Sequence, residues 1–115
     1  MRVRFVANVV AVALGVGVMQ PAWCDQWTTA LTPTSAQASN YNGALAMYVT
    51  TTQPVVNPAN CPATDGWVTA DPVFSKEALA MALAAILAGH TVQIYVSSTQ
   101  CAENRPMILD FQVNW

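Results

Sequence analysis

Val92, Ile94 and Val96 alternate with Thr91, Gln93, Tyr95 and Ser97, a two-residue period that predicts a strand with one face in a core and the other toward water. The same period runs through Met107, Leu109, Phe111, Val113 and Trp115, set against Ile108, Asp110, Gln112 and Asn114, so the odd-numbered residues are expected to face inward. Leu45, Met47 and Val49 repeat it once more. Just before them, Asn42-Gly43 suits a type I′ turn, whose two central residues need positive φ. This strand is therefore expected to pair with a weaker one over residues 26–38, broken at Pro33, and a further short strand is expected over 66–70.

The period changes after Asp71-Pro72. Ser75 is the expected N-cap of a helix running to Ala88, and Gly89 suits the left-handed residue that ends many helices. No charge occurs between Glu77 and His90. Leu79, Leu83 and Ile86 are the expected core stripe, while Met81, Ala84, Leu87 and Ala88 fall on other sides. A helix apolar all round is normally buried on more than one surface, so these four are expected at a subunit interface. The stretch 53–65, with Pro54, Pro58, Pro62, Asn57 and Asn60, reads as loop, and 98–106 as a turn carrying Cys101.

Strand, strand, strand, helix, strand, strand is the expected order: a mainly β chain with one helix, forming a small five-stranded OB-like barrel. An open α+β sheet with the helix on one face is the alternative. Residues 25–115 are expected to be a single domain. Before it, Arg2 and Arg4 precede an apolar run from Phe5 to Met19, and Pro21-Ala22-Trp23-Cys24 supplies a cleavage region, so residues 1–24 read as an export signal. The apolar run is shorter than the roughly 20 residues of a membrane-spanning helix, so no span is expected after cleavage. A secreted or periplasmic location follows, and there Cys61 and Cys101 are expected to pair.

Charge narrows the partners. Beyond residue 24, Lys76 and Arg105 stand against Asp25, Asp65, Asp71, Glu77, Glu103 and Asp110, two positive and six negative for a net −4. Nucleic acid is excluded as a partner, because phosphate binding needs clustered Lys and Arg. No metal or cofactor is expected, since two paired thiols and one histidine do not make a zinc site. No catalytic residue is assigned: His90, the one histidine, reads as a helix-terminal surface residue, and no spacing sets the carboxylates across a cleft. Among Trp27, Tyr48, Trp67 and Tyr95, the two tyrosines are the preferred ligand-surface residues, because each lies on the strand face opposite its apolar set.

The run Ala88-Gly89-His90-Thr91-Val92-Gln93-Ile94-Tyr95-Val96, followed by Cys101 and a closing strand, is similar to the B subunits of bacterial AB5 toxins, most of all the subtilase-cytotoxin and pertussis-like group. The similarity of pattern covers roughly residues 41–113. It implies a secreted OB-fold subunit that forms a ring, usually a pentamer with its helices around a central pore, and that binds cell-surface glycans. It assigns no sugar-contact residue. The expected function is thus an exported, non-enzymatic, oligomeric subunit that binds a glycan or a protein. A monomeric periplasmic binding or inhibitor module is the alternative.

Overall fold

The computed structural model describes residues 24–115. The expected export signal lies outside the described residues, apart from Cys24, which carries a free, half-buried thiol. In chain order come β1 (Gln26–Trp27), β2 (Pro33–Tyr41), β3 (Ala44–Thr51), β4 (Trp67–Thr69), α1 (Pro72–Ala88), β5 (Thr91–Ala102) and β6 (Arg105–Asn114). The chain is mainly β with one helix, as expected. Its strands form one mixed sheet in the order β1-β5-β6-β4-β3-β2, antiparallel throughout except that β4 and β6 run parallel.

The sheet has six strands, where a closed five-stranded barrel was expected, because the first strand is interrupted. Its two pieces, β1 and β2, occupy opposite ends of the strand order. The connector between them stays on β5: Thr28 N–H donates to Ile94 O at 2.8 Å, and Leu31 and Val92 exchange both backbone bonds at 2.7 and 2.8 Å. The Thr28 hydroxyl accepts the Ile94 N–H at 3.0 Å, standing in for a backbone carbonyl. Pro33 then has no N–H for a ladder, and the chain leaves β5 to pair with β3. The connector's last contact with β5 is one isolated bridge, Leu31 to Val92, and the six strands form an open sheet.

Two hairpins follow from turn chemistry. Asn42 and Gly43 have φ of +54° and +79°, and Asn40 Oδ1 accepts the Gly43 N–H at 2.9 Å. Residues 98–106, expected as a turn, instead extend both strands, and only Glu103 and Asn104 turn, with φ of +50° and +64°. A bulge then sets the facing of β6. Tyr95 lies opposite Asp110 and Val96 opposite Ile108, so Leu109 has no partner. Phe111 and Val113 face the core as expected, but before the bulge the alternation is inverted: Ile108 is in the core and Met107 packs on the opposite face of the sheet. Leu109 is 40% exposed and Trp115 73% exposed.

The helix begins one turn earlier than Ser75. Asp71 is the N-cap, its Oδ1 accepting the N–H of Val73 at 2.9 Å and of Phe74 at 3.4 Å, with Pro72 where a missing N–H does no harm. Ser75 is fully buried in the first turn and donates its hydroxyl to Asp71 O at 2.6 Å. That leaves the Ser75 oxygen to accept from Thr69 Oγ1, which itself accepts the buried Met47 N–H at 2.7 Å. A directed chain of hydrogen bonds thus runs from β3 through β4 to the helix start. At the other end Gly89 has φ +75°, and the N–H groups of Gly89 and His90 return to Ile86 O and Ala85 O.

The face that α1 presents to the sheet is made of alanine. Ser75, Ala78, Ala82 and Ala85 are buried, whereas Leu83 is 43% and Leu87 88% exposed. The expected stripe of Leu79, Leu83 and Ile86 is therefore displaced by about a quarter turn: Leu79 sits half-buried at its edge, and Leu83 lies outside it. Small side chains let the helix backbone approach β2 and β3, over which it mainly packs. Beneath them lie Met47, Val49, Trp67, Val92, Ile94, Val96 and Phe111.

Cys61 and Cys101 are joined, their Cα atoms 5.8 Å apart and 40 residues apart in sequence. The bond ties the proline-rich loop to β5. Asn57 shapes that loop from within, its side chain accepting the Cys61 N–H at 2.8 Å and donating to Cys61 O at 2.9 Å.

Candidate functional site

Trp27, Tyr95 and Asp110 form one row across β1, β5 and β6, since Trp27 pairs with Tyr95 and Tyr95 with Asp110. Residues directly opposite one another have Cβ atoms about 5 Å apart and share a face. That face is the outer one, because the neighbours Ile94, Val96 and Phe111 point into the core. The two rings are 5.3 Å apart at their centroids and inclined at 43°. Trp27 is 44% exposed, Tyr95 is half-buried, and Asp110 and the bulged Leu109 are exposed beside them.

Polar groups surround the pair. Ser98, three residues along β5 from Tyr95, donates its N–H and its hydroxyl to Asp25 Oδ1 at 2.8 and 2.9 Å, which fixes that carboxylate next to β1. Gln93 donates to Thr28 O at 3.1 Å and its carbonyl oxygen accepts from Gln112 Nε2 at 3.5 Å, so its amide is engaged at both ends. Asp110 Oδ1 takes the Phe111 N–H at 2.8 Å, leaving its second oxygen with no protein donor among the described residues. The result is an open platform: an indole face, a tilted phenol, and carboxylate acceptors beside them. Such a surface can stack on an apolar ring face and accept hydrogen bonds from hydroxyls at its edge.

Tyr48, the other preferred aromatic, lies elsewhere and is enclosed. Arg105 covers one face of its ring at 4.7 Å, and on the other side a Cβ added at Gly66 would lie 2.6 Å from Tyr48 Cε1. The phenol donates to Asp65 O at 3.2 Å. Arg105 in turn is held in a fork on Asp65, Nε–Oδ1 2.6 Å and Nη2–Oδ2 3.1 Å, with Nη1 donating to Glu103 O at 3.3 Å. The guanidinium fork holds the Asp65 carboxyl below its ordinary range, and Arg105 rises in response. Burial of the ring, with the Asp65 charge adding to it, raises the Tyr48 phenol. This is a clamp joining β3, the β4 approach and β6, with little ring face left to offer a ligand.

Of the aromatics weighed from sequence, Tyr95 is thus on the platform, Tyr48 is in the clamp, and Trp67 is fully buried with its indole N–H unpaired. Trp27 ranks below the tyrosines in the sequence because its strand is only two residues long and shows no alternation. The four helix residues expected at an interface separate as well. Ala84, Leu87 and Ala88 are exposed on the outer side of α1, whereas Met81 packs against the core. That outer side is completed by Ala80 and Leu83, so Ala80, Leu83, Ala84 and Leu87 recur at i, i+3, i+4 and i+7.

Among the described residues no three of His, Cys, Asp and Glu come together in a metal-binding group, and no helix is long and apolar enough to cross a membrane. His90 stands edge-on to Trp115 with ring centroids 5.2 Å apart, away from any carboxylate pair. Compared with protein-family models, with curated proteins and with solved structures, the chain finds no match in any of the three.

Proposed function

We propose that the chain is an exported, non-enzymatic binding subunit of OB-like architecture that recognises a cell-surface glycan on the Trp27–Tyr95 platform and self-associates through the outer side of α1. The observation that carries the glycan reading is the exposed indole of Trp27 inclined against Tyr95, with Asp110 and Asp25 at the margins. A pyranose presents an apolar C–H face and a rim of hydroxyl donors, which matches this combination of ring faces and acceptors.

The finer fold reading rests on connectivity. Counting β1, its connector and β2 as one interrupted strand, the first strand touches both the second and the fourth, as in a partly open five-stranded barrel. Self-association is supported by the apolar outer side of α1, where Leu87 is 88% exposed and no charge intervenes between Glu77 and His90. Secretion to the periplasm or beyond is supported by the Cys61–Cys101 bond.

The test is glycan-array binding by the purified protein, competed with free sugar, alongside its mass by light scattering. Binding that Trp27→Ala abolishes, and a mass that Leu87→Asp reduces to a monomer's, are the expected results. Binding indifferent to Trp27→Ala would remove the platform from the argument, and a monomeric mass for the unaltered protein at high concentration would remove the helix face.

A further inference from the structure

Of the seven asparagines in the chain, Asn42 is the one followed by glycine. The neighbour matters because an asparagine side chain carries an electrophilic carbon, Cγ, within reach of the backbone nitrogen of the next residue, and a side chain on that residue hinders their approach. Gly43 has none, and a Cβ added there would meet nothing within 4 Å. Both residues are exposed at the tip of the β2–β3 hairpin. The other described asparagines differ: Asn57 precedes Pro58, which has no N–H to give up, and the rest precede residues that carry side chains.

One bond restrains Asn42. The Gly43 N–H, whose nitrogen must lose its proton to become a nucleophile, donates to Asn40 Oδ1 at 2.9 Å. The turn itself adds to the restraint, since Asn42 and Gly43 are held at φ of +54° and +79° between the paired residues Tyr41 and Ala44.

We propose that Asn42 is a site of spontaneous covalent modification, converted to aspartate and isoaspartate through a cyclic imide, and that the Asn40 side chain governs the rate. The Gly43 nitrogen gives its proton to water or hydroxide and bonds to Asn42 Cγ, the bond from Cγ to the side-chain nitrogen breaks, and ammonia leaves. Water then opens the imide: attack at the former side-chain carbonyl gives aspartate, and attack at the main-chain carbonyl gives isoaspartate, whose backbone path is one carbon longer. Nothing is oxidised or reduced. Cyclisation is confined to molecules in which the bond to Asn40 is open, so removing that acceptor raises the rate by the equilibrium weight of one exposed hydrogen bond, about two- to tenfold.

The products change the hairpin. Either one places a negative charge in residues 26–64, a stretch that has none. Isoaspartate also lengthens a turn that sets the β2–β3 register, and β2 is an end strand of the sheet, with β3 as its one neighbour there.

The experiment is incubation of the protein, expressed from its complete sequence, in mildly alkaline buffer, followed by peptide mapping with mass spectrometry and chromatographic separation of aspartate from isoaspartate. Asn42 is expected to convert first and to give both products. Asn40→Ala should convert about two- to tenfold faster, whereas Asn40→Asp, which keeps an accepting oxygen, should be no faster than the parent. The parent unfolded in urea should be at least as fast as Asn40→Ala. Hydrogen exchange at the Gly43 N–H of the unaltered protein reads the same opening without any substitution, and there protection of about two- to tenfold or more is expected. Survival of Asn42 while other asparagines convert would overturn the site. Equal rates in the folded parent, in Asn40→Ala and in urea, or a Gly43 N–H with no protection, would overturn control by Asn40.

Discussion

Ala82 and Leu87 make opposite demands, and exchanging the usual expectation about them tests how α1 sits. Ala82 is fully buried against the sheet, so Ala82→Leu inserts three carbon atoms where side chains from β2 and β3 already touch the helix. Overpacking of that kind costs about 1–3 kcal/mol. Leu87 is 88% exposed, and with full burial of a leucine worth roughly 2 kcal/mol, the covered fraction amounts to about 0.2 kcal/mol. For a domain of this size 1 kcal/mol moves Tm by about 4–8 °C, so Ala82→Leu should lower it by about 4–24 °C and Leu87→Ala by no more than about 2 °C. The assay is thermal unfolding followed by circular dichroism at two protein concentrations. The lower concentration reports the fold, and any additional loss for Leu87→Ala at the higher one reports self-association. If Ala82→Leu melted like the parent protein while Leu87→Ala fell by many degrees at low concentration, the helix would have its leucines on the sheet and the reasoning would be wrong.

Three further outcomes are expected. Thr69→Val keeps the shape but strands the buried Met47 N–H and the Ser75 oxygen, so urea unfolding should show a loss of about 1–3 kcal/mol, and an unchanged midpoint would deny the hydroxyl chain a structural role. Replacing Cys61 and Cys101 by serine opens a loop whose ends are 40 residues apart and should remove about 4 kcal/mol, read as the difference between the parent protein and the double variant in urea unfolding under oxidising conditions. Asp65 has its folded pKa below the ordinary 3.8, so its contribution is present above that value and disappears as pH falls through the folded one. Because the carboxylate is largely exposed, the contribution is at most about 1 kcal/mol. Asp65→Asn should therefore be slightly less stable than the parent at pH 7 and equal to it in strong acid, and a gap that widened on acidification would contradict the assignment.

The elements that sequence pattern identified are those whose cause is local. Asn42-Gly43 turns because those two residues tolerate positive φ, Gly89 ends α1 for the same reason, and β5 alternates cleanly because one of its faces is core along most of its length. The cap itself was not legible: Ser75 is the expected N-cap, but it is buried within the helix and Asp71, ahead of Pro72, takes that role. The facing of β6 was not legible, since one unpaired residue, Leu109, inverts every side chain before it, and nothing in the alternation marks the bulge. Trp27 is among the candidate rings in the sequence but ranks below the two tyrosines, because a two-residue strand has no period to read.

By itself, the order of residues determined a mainly β chain with one helix, two hairpins and one pairing of cysteines. Only the tertiary structure decided which side of α1 meets the sheet and which rings meet each other. A helix that is apolar on every side has no hydrophobic direction of its own, so the choice fell to distance: alanine lets the backbone come close, and leucine would hold it off. Trp27 and Tyr95 are 68 residues apart in sequence, and their contact exists because the interrupted first strand runs along β5 before crossing to β3. Contacts of that range are set by which strands the chain brings side by side, and no local pattern of residues encodes that.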